Sequence, residues 1–301
     1  MKTCLAVSSI SFALSLLLFL APGTSRAQNV FVSNSDSIEE YGTNGVGTVF
    51  ANSGVDLPYG LAFDSSGNLY VANHGNNTIE KFGTNGVGTV FANSGLAQPR
   101  GLAFDSSGNL YVANAGSNTI EEFSSSGGVL NSNGTVFANT GLNDPAGLAF
   151  DSSGSLYVAN YAGYTIEKFG TNGVGSVFAS DVDLPFGLAF DNSGNLYVAM
   201  FGNSTIEEYG TNGAGTVFAN SGLASPRGLA FDSSGNLYVV NAASDSIEKF
   251  GTNGVGSVFA QPAFSNPQFI AIQVPEPSTW AMLAMGIGVV FGGLRLRRRS
   301  S

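Results

Sequence analysis

Apolar and polar positions along this chain fall into one motif that keeps returning. Gly60-Leu61-Ala62-Phe63-Asp64-Ser65-Ser66-Gly67-Asn68-Leu69-Tyr70-Val71-Ala72-Asn73 recurs almost unchanged from Gly101, Gly147, Gly187 and Gly228, and a half-copy from Pro267 to Gln273 ends the series. The steps between Gly60, Gly101, Gly147, Gly187, Gly228 and Phe269 are 41, 46, 40, 41 and 41 residues, the mark of an array of one supersecondary unit. Each unit predicts four short strands: Gly60 to Asp64, Leu69 to Ala72, Thr78 to Phe82 and Gly88 to Ala92. Asp64-Ser65-Ser66-Gly67 reads as a turn between the first two, and Asn85-Gly86 as a tight hairpin turn between the last two. A polar loop, Asn73 to Asn77, joins the second to the third. No part of the unit has the helical period.

The strands differ in polarity. The small, apolar first strand suits a crowded place near an axis, and the charged third, Ile79-Glu80-Lys81-Phe82, suits an outer one. The first two are apolar on both faces, with Leu61 and Phe63 against Ala62, and Leu69 and Val71 against Tyr70 and Ala72. Such a sheet must be sandwiched, and the radially stacked blades of a propeller provide that. An open solenoid is the competitor, and the chain ends argue against it. The first copy, beginning at Val30-Phe31-Val32, lacks a first strand; the last supplies only Phe269-Ile270-Ala271-Ile272. Together they make one blade, and the 246 residues from 28 to 273 make six periods of 41. The expected fold is all-β: a six-bladed β-propeller closed by strand exchange between the termini, plus an N-terminal signal peptide and a C-terminal transmembrane helix. Closure removes the sheet edges that an open array leaves exposed.

The ends carry other signals. In residues 1–27, Lys2 gives a positive start, Leu5 to Leu20 an apolar core and Ser25-Arg26-Ala27 small residues for a signal peptidase. Cleavage is expected between Ala27 and Gln28; an uncleaved anchor is the alternative. Cys4, the only cysteine, leaves with that segment, so the mature chain has no thiol or disulfide. At the other end, residues 274–301 divide into Val274-Pro275-Glu276-Pro277-Ser278, an apolar run over 279–294 and a basic tail over 295–301. Sixteen helical residues would span about 24 Å, short of a ~30 Å hydrocarbon core. The arginines should stay cytoplasmic, which places the propeller outside the inner membrane.

Charge narrows the choice of partner. Residues 28–273 hold five cations against twenty carboxylates, a net −15, which excludes a broad polyanion-binding surface, nucleic acid included. The one insertion, Ser124 to Gly134, reads as a tolerated, mobile hairpin tip.

Compared with one another, the copies vary in two loop sets, before the first strand and between the second and third. In an up-and-down blade both lie on one face, where recognition residues are commonly carried. The position before the leading glycine holds Tyr59, Arg100, Ala146, Phe186, Arg227 and Gln268. In a six-fold ring, Arg100 faces Arg227 and Tyr59 faces Phe186. The second loop set adds His74, Tyr161, Tyr164 and Phe201. Two guanidiniums beside aromatics suit a carboxylated or sulfated sugar or an acidic peptide terminus. The competing reading makes the arginines solvent-exposed duplicates.

Asp64, Asp105, Asp151, Asp191 and Asp232 each open a turn and read as backbone caps, because calcium needs six to eight oxygens at one site. Asn73, Asn114, Asn160 and Asn241 read as strand terminators of the same kind. Signs of catalysis are sparse. His74 is the only histidine, in a loop expected to be exposed, and no serine pairs with a base by spacing. The glutamates fall mostly in third strands, near the rim. No cofactor and no metal are expected.

Pro58-Tyr59-Gly60-Leu61-Ala62-Phe63-Asp64, Gly67 to Asn73 and Thr78-Ile79-Glu80-Lys81-Phe82 resemble the NHL repeat over nearly all of residues 28–273. Asn73 stands where that family often has Asp, and the basic residue it often places before the third strand is missing. Some relatives bind RNA through a basic face, which this chain lacks; six-bladed relatives also include lactonases and lyases. The tripartite C-terminal segment resembles a PEP-CTERM sorting signal. That resemblance implies a Gram-negative bacterium, passage through the inner membrane and processing near the motif by an exosortase; a permanent anchor is the alternative. The reading is an exported, non-enzymatic binding protein of the extracellular matrix or envelope. Its expected partners are signal peptidase and exosortase, with an exopolysaccharide or an extracellular protein as ligand. A hydrolase or lyase using the axial funnel is the alternative.

Overall fold

Six four-stranded antiparallel sheets, each built from one repeat, are arranged as the blades of a propeller. This computed structural model describes residues 28–261 and 266–273, and among them there is no helix long and apolar enough to cross a membrane. The expected signal peptide, sorting motif and transmembrane run lie outside the described residues. Blade two shows the pattern: Pro58–Phe63, Leu69–Asn73, Thr78–Phe82 and Gly88–Ala92, innermost to outermost. The first strands pack on one another around the axis, with 270–272 taking the sixth place between 226–231 and 58–63. Blade one is drawn from both ends of the described chain: Ile270–Ile272 pairs antiparallel with Val30–Ser33, Val30 opposite Ile272.

The core follows from the two apolar faces. Six clusters of buried side chains each fill one gap between neighbouring blades. Tyr70, Ala72 and Ile79 of blade two meet Leu102, Leu110, Val112 and Phe123 of blade three. Tyr70 also sits edge-on between Phe91 and Phe104, 5.3 Å from each ring. Such edge-to-face pairs add to simple area burial.

The Asn-Gly turn is a tight hairpin, as expected: strands end at Phe82 and resume at Gly88, with Gly86 at φ +71° and its N–H donating to the Gly83 carbonyl. Two local expectations need correction. The insertion does not hang free. It forms its own hairpin, Ser125–Ser126 with Val129–Leu130, and lays Leu130 against the blade-two/blade-three core. The third strand is not the outer one. Glu80, Glu121, Glu167 and Glu248 on it are buried, whereas the uncharged fourth strand is exposed, Val90 at 58 %.

Those glutamates make the fold pH-sensitive. Burial raises the pKa of each above the ordinary carboxylate value. The folded state therefore binds their protons more tightly than the unfolded chain, so stability falls as pH rises through their folded pKa values. Asp151 and Asp232 act the other way. Burial pushes both up, but hydrogen bonds (from Ser153 and Ser155 to Asp151, from Asn236 to Asp232) and the nearby Lys168 and Lys249 outweigh it and hold them below the ordinary value. Their contribution is present above the ordinary pKa and is lost as pH falls through the lowered one. The melting temperature is therefore expected to rise as the pH is lowered from 7 toward the ordinary glutamate value of about 4.3, and to fall again as the pH drops below the ordinary aspartate value of about 3.9. Glu121→Gln/Glu167→Gln should flatten the rise; an unchanged profile in that variant would assign it to general charge repulsion instead.

Candidate functional site

The varying loops are held rigidly, and the same way, in blade after blade. The residue before each first-strand proline (Leu57, Gln98, Asp144, Leu184, Ser225, Asn266) is left-handed, with φ between 47° and 57°. Neither the missing glycine nor the following proline favours that conformation, and strain of this kind gathers at functional surfaces. The carbonyls of five of these residues accept the N–H of His74, Ala115, Tyr161, Phe201 and Ala242, the first residues of the second loop set. Asn73 fastens the two loops further: its Oδ1 accepts from the Asp56 N–H at 3.1 Å and its Nδ2 donates to the Gly54 carbonyl at 2.9 Å. Asn114, Asn160 and Asn241 repeat these contacts, so they staple loops together rather than simply ending strands. A β-bulge between Pro58 and Leu61, repeated at Pro99, Pro145, Pro185 and Pro226, sets the side chain before each leading glycine. Bulges re-aim side chains in this way beside functional sites.

All seven nominated residues fall into one connected group. Tyr59 stacks on His74 at 4.8 Å and 26°. Arg100 lies over the Tyr161 ring at 5.8 Å; Arg227 lies over Phe186 at 5.5 Å and Phe201 at 5.3 Å. Tyr161, Phe186 and Phe201 contact one another at 5.8–6.4 Å. Phe269, standing where the other copies have glycine, joins the halves: its ring is 5.3 Å from Phe186 and 6.4 Å from Tyr59. Tyr164 stays outside, 49 % exposed.

The electrostatics correct two expectations. The arginines are not solvent-exposed duplicates: the Nε of each is buried without a hydrogen-bond partner, and the Arg100 side chain is 17 % exposed. Arg100 is paired, Nη1 to Asp144 Oδ2 at 3.0 Å. His74 is half-buried rather than exposed; burial, and then the Arg100 charge, lower its pKa against the opposing pull of Asp144. Asp144, Asn266 and Phe269 were missed as site residues. Phe269 alone left a signal, as the one departure from the leading glycine.

At the opposite ends of the first two strands the aspartates cap turns. Asp64 Oδ1 accepts from the N–H groups of Ser66 and Asn68 at 2.9 Å, and its Oδ2 accepts from Asn68 Nδ2 at 2.8 Å. Lys81, Lys168 and Lys249 pair with Asp64, Asp151 and Asp232 at 3.1–3.5 Å. Of the propeller's five cations, that leaves the two arginines to the loop face. Among the described residues no group of three His, Cys, Asp or Glu side chains is placed to hold a metal ion.

The fold and this face define a six-bladed β-propeller. Within that class the chain carries an NHL repeat, whose family model matches residues 96–123, and a PEP-CTERM protein-sorting motif over residues 273–299. The sorting motif points to an exported protein. Among solved structures, the chain is similar to the nidogen/laminin complex (TM-score 0.74, 21 % identity, 83 % of this chain and 100 % of that one). It is also similar to virginiamycin B lyase from Staphylococcus aureus (TM-score 0.63, 14 % identity, 84 % and 94 %) and to a gluconolactonase-like propeller (TM-score 0.59, 16 % identity, 72 % and 82 %). At these identities the likeness is one of fold alone. No curated protein matches the chain.

Proposed function

We propose that this protein is an exported, non-enzymatic binding module of the cell envelope or extracellular matrix, and that its loop face takes an anionic ligand. In this reading a signal peptidase removes residues 1–27, the run over 279–294 holds the chain in the inner membrane in transit, and an exosortase acts near Val274 to Ser278. The strand 270–272 closes the ring. One observation carries the binding role: Arg227 is a largely buried cation packed on Phe186 and Phe201 whose side-chain acceptors are neutral amides, those of Asn266 and Gln268. A desolvated charge without a counter-ion favours an incoming anion. An acidic exopolysaccharide or the acidic terminus of an extracellular protein supplies one. The lyase and lactonase reading rests on shared fold, and the face offers it one imidazole, His74, whose neighbouring carboxylate, Asp144, is tied up in the ion pair with Arg100.

The test is thermal melting of the full chain in mild detergent against neutral and acidic polysaccharide fragments and acidic peptides. A ligand bound only by the native state raises the melting temperature. The rise is expected with acidic members of the panel and should vanish in Arg100→Ala/Arg227→Ala. A rise that survives in the double variant, or none with any member, would overturn the assignment of this face.

A further inference from the structure

The two arginines are built alike but finished differently. Each follows a first-strand proline, Pro99 or Pro226, and each sends Nη1 to the residue before the first-strand proline of the next blade. Both receiving residues are left-handed, Asp144 at φ +53° and Asn266 at φ +57°. From Arg100 the reach ends on a carboxylate, Asp144 Oδ2, at 3.0 Å. From Arg227 it ends on an amide oxygen, Asn266 Oδ1, at 3.1 Å, with the Gln268 Oε1 as a second acceptor. Gln268 is itself held, its Nε2 donating to the Asn266 carbonyl at 2.9 Å. The equivalent position thus carries the counter-ion of one arginine and withholds it from the other. Burial correspondingly lowers the pKa of Arg227, with the Arg100 charge acting in the same direction.

We propose that Arg227 alone is the anion-binding group of this face, and that it takes the carboxylate of a uronic-acid residue in an acidic polysaccharide. The inference rests on the binding reading above and names its ligand. Guanidinium and carboxylate match as planar forks, and the acceptors already on Nη1, the amide oxygens of Asn266 and Gln268, are neutral and leave the charge for that carboxylate to balance. The sugar assignment comes from the rings. His74, Tyr59, Phe269, Phe186 and Phe201 follow one another at contacts of 4.8, 6.4, 5.3 and 6.4 Å, and all but Phe186 are only partly buried. A row of aromatic faces suits the apolar faces of successive sugar rings, whereas a peptide terminus offers one carboxylate and no repeat. A propeller with twenty carboxylates against five cations also repels a densely charged polymer, so the ligand carries its acid groups sparsely.

The probes are cellobiouronate, its neutral counterpart cellobiose and acetyl-phenylalanine, each titrated against the melting temperature of the full chain. Cellobiouronate at ten times its dissociation constant is expected to raise the transition by roughly 3–6 °C, and the other two to leave it in place. Asn266→Asp supplies the internal counter-ion that Arg100 already has; it should melt at or above the parent without ligand and lose the response. Asp144→Asn should keep it. A response retained in Asn266→Asp, or lost in Asp144→Asn, overturns the assignment to Arg227. An equal response to cellobiose removes the carboxylate from the reading while leaving the face a binding site. A response to acetyl-phenylalanine instead gives the site to peptide termini. No response to cellobiouronate in the parent overturns the uronate assignment, and the broader panel then decides whether the face binds at all.

Discussion

Gly147→Val is expected to lower the melting temperature of the propeller by roughly 6–12 °C. A Cβ on Gly147 would stand 2.2 Å from the Phe186 carbonyl oxygen and 3.1 Å from Gly187 Cα and Leu188 N. All three are backbone atoms of the next blade, so no rotamer change relieves the clash. The first strands of blades four and five would have to separate. Each is packed on its other side as well, so the displacement passes around the ring. Overpacking of this kind costs about 1–3 kcal/mol when side chains can yield, and more when backbone must move, against a total stability of about 5–15 kcal/mol. Gly154 is the control. It has φ +83° with nothing within 4 Å of its added Cβ, so alanine there meets only the left-handed penalty of about 1–2 kcal/mol. A Gly147→Val protein that melts with the parent would show that the first strands do not approach as closely as this ring requires.

The same glycines explain why so much of the architecture could be read in advance. Six copies of one unit, each apolar on both faces of its inner strands, leave few arrangements that bury every Leu61, Val71 and Tyr70 equivalent. The face of the ring was legible for the same reason, since the repeat register alone aligns Tyr59 with Arg100, Phe186 and Arg227. Contacts between blades were not. Arg100 meets Asp144, and Arg227 meets Asn266 and Gln268, across a gap that sequence spacing does not measure. Phe269 was visible as a substitution, but its contact with both Phe186 and Tyr59 depends on where the axis narrows. The buried glutamates were misjudged because charge was equated with exposure. Glu80 instead packs against Gly54, in the loop that leads into its own blade, a Cβ on which would stand 3.0 Å from Glu80 Oε1.

A chain ended after Gln261 is expected to lose its cooperative transition or melt more than about 10 °C below the parent, whereas one ended after Gln273 should melt like it. The difference is the strand 270–272 and the residues leading into it. Without them Val30–Ser33 loses its inner partner, and the Val32, Val240 and Tyr238 surface that Ile270 covers is opened to water. Ile270 alone, 6 % exposed, accounts for about 1.5–3 kcal/mol of apolar burial. The backbone bonds from Ser33 N–H to the Phe269 carbonyl and from Gln268 N–H to the Ser33 carbonyl go with it. An unpaired inner edge is also a template for pairing between molecules, so the shorter chain should elute as concentration-dependent oligomers in size-exclusion chromatography. Its effect reaches the proposed binding face, because Asn266 and Gln268 are the acceptors of Arg227 and Phe269 is the ring between Tyr59 and Phe186. Ring closure and ligand binding would then depend on the same few residues, which end where the sorting motif begins at residue 273. If the chain ended after Gln261 melts and elutes like the parent, five blades and the three strands of the first suffice, and closure by the C-terminal strand is wrong.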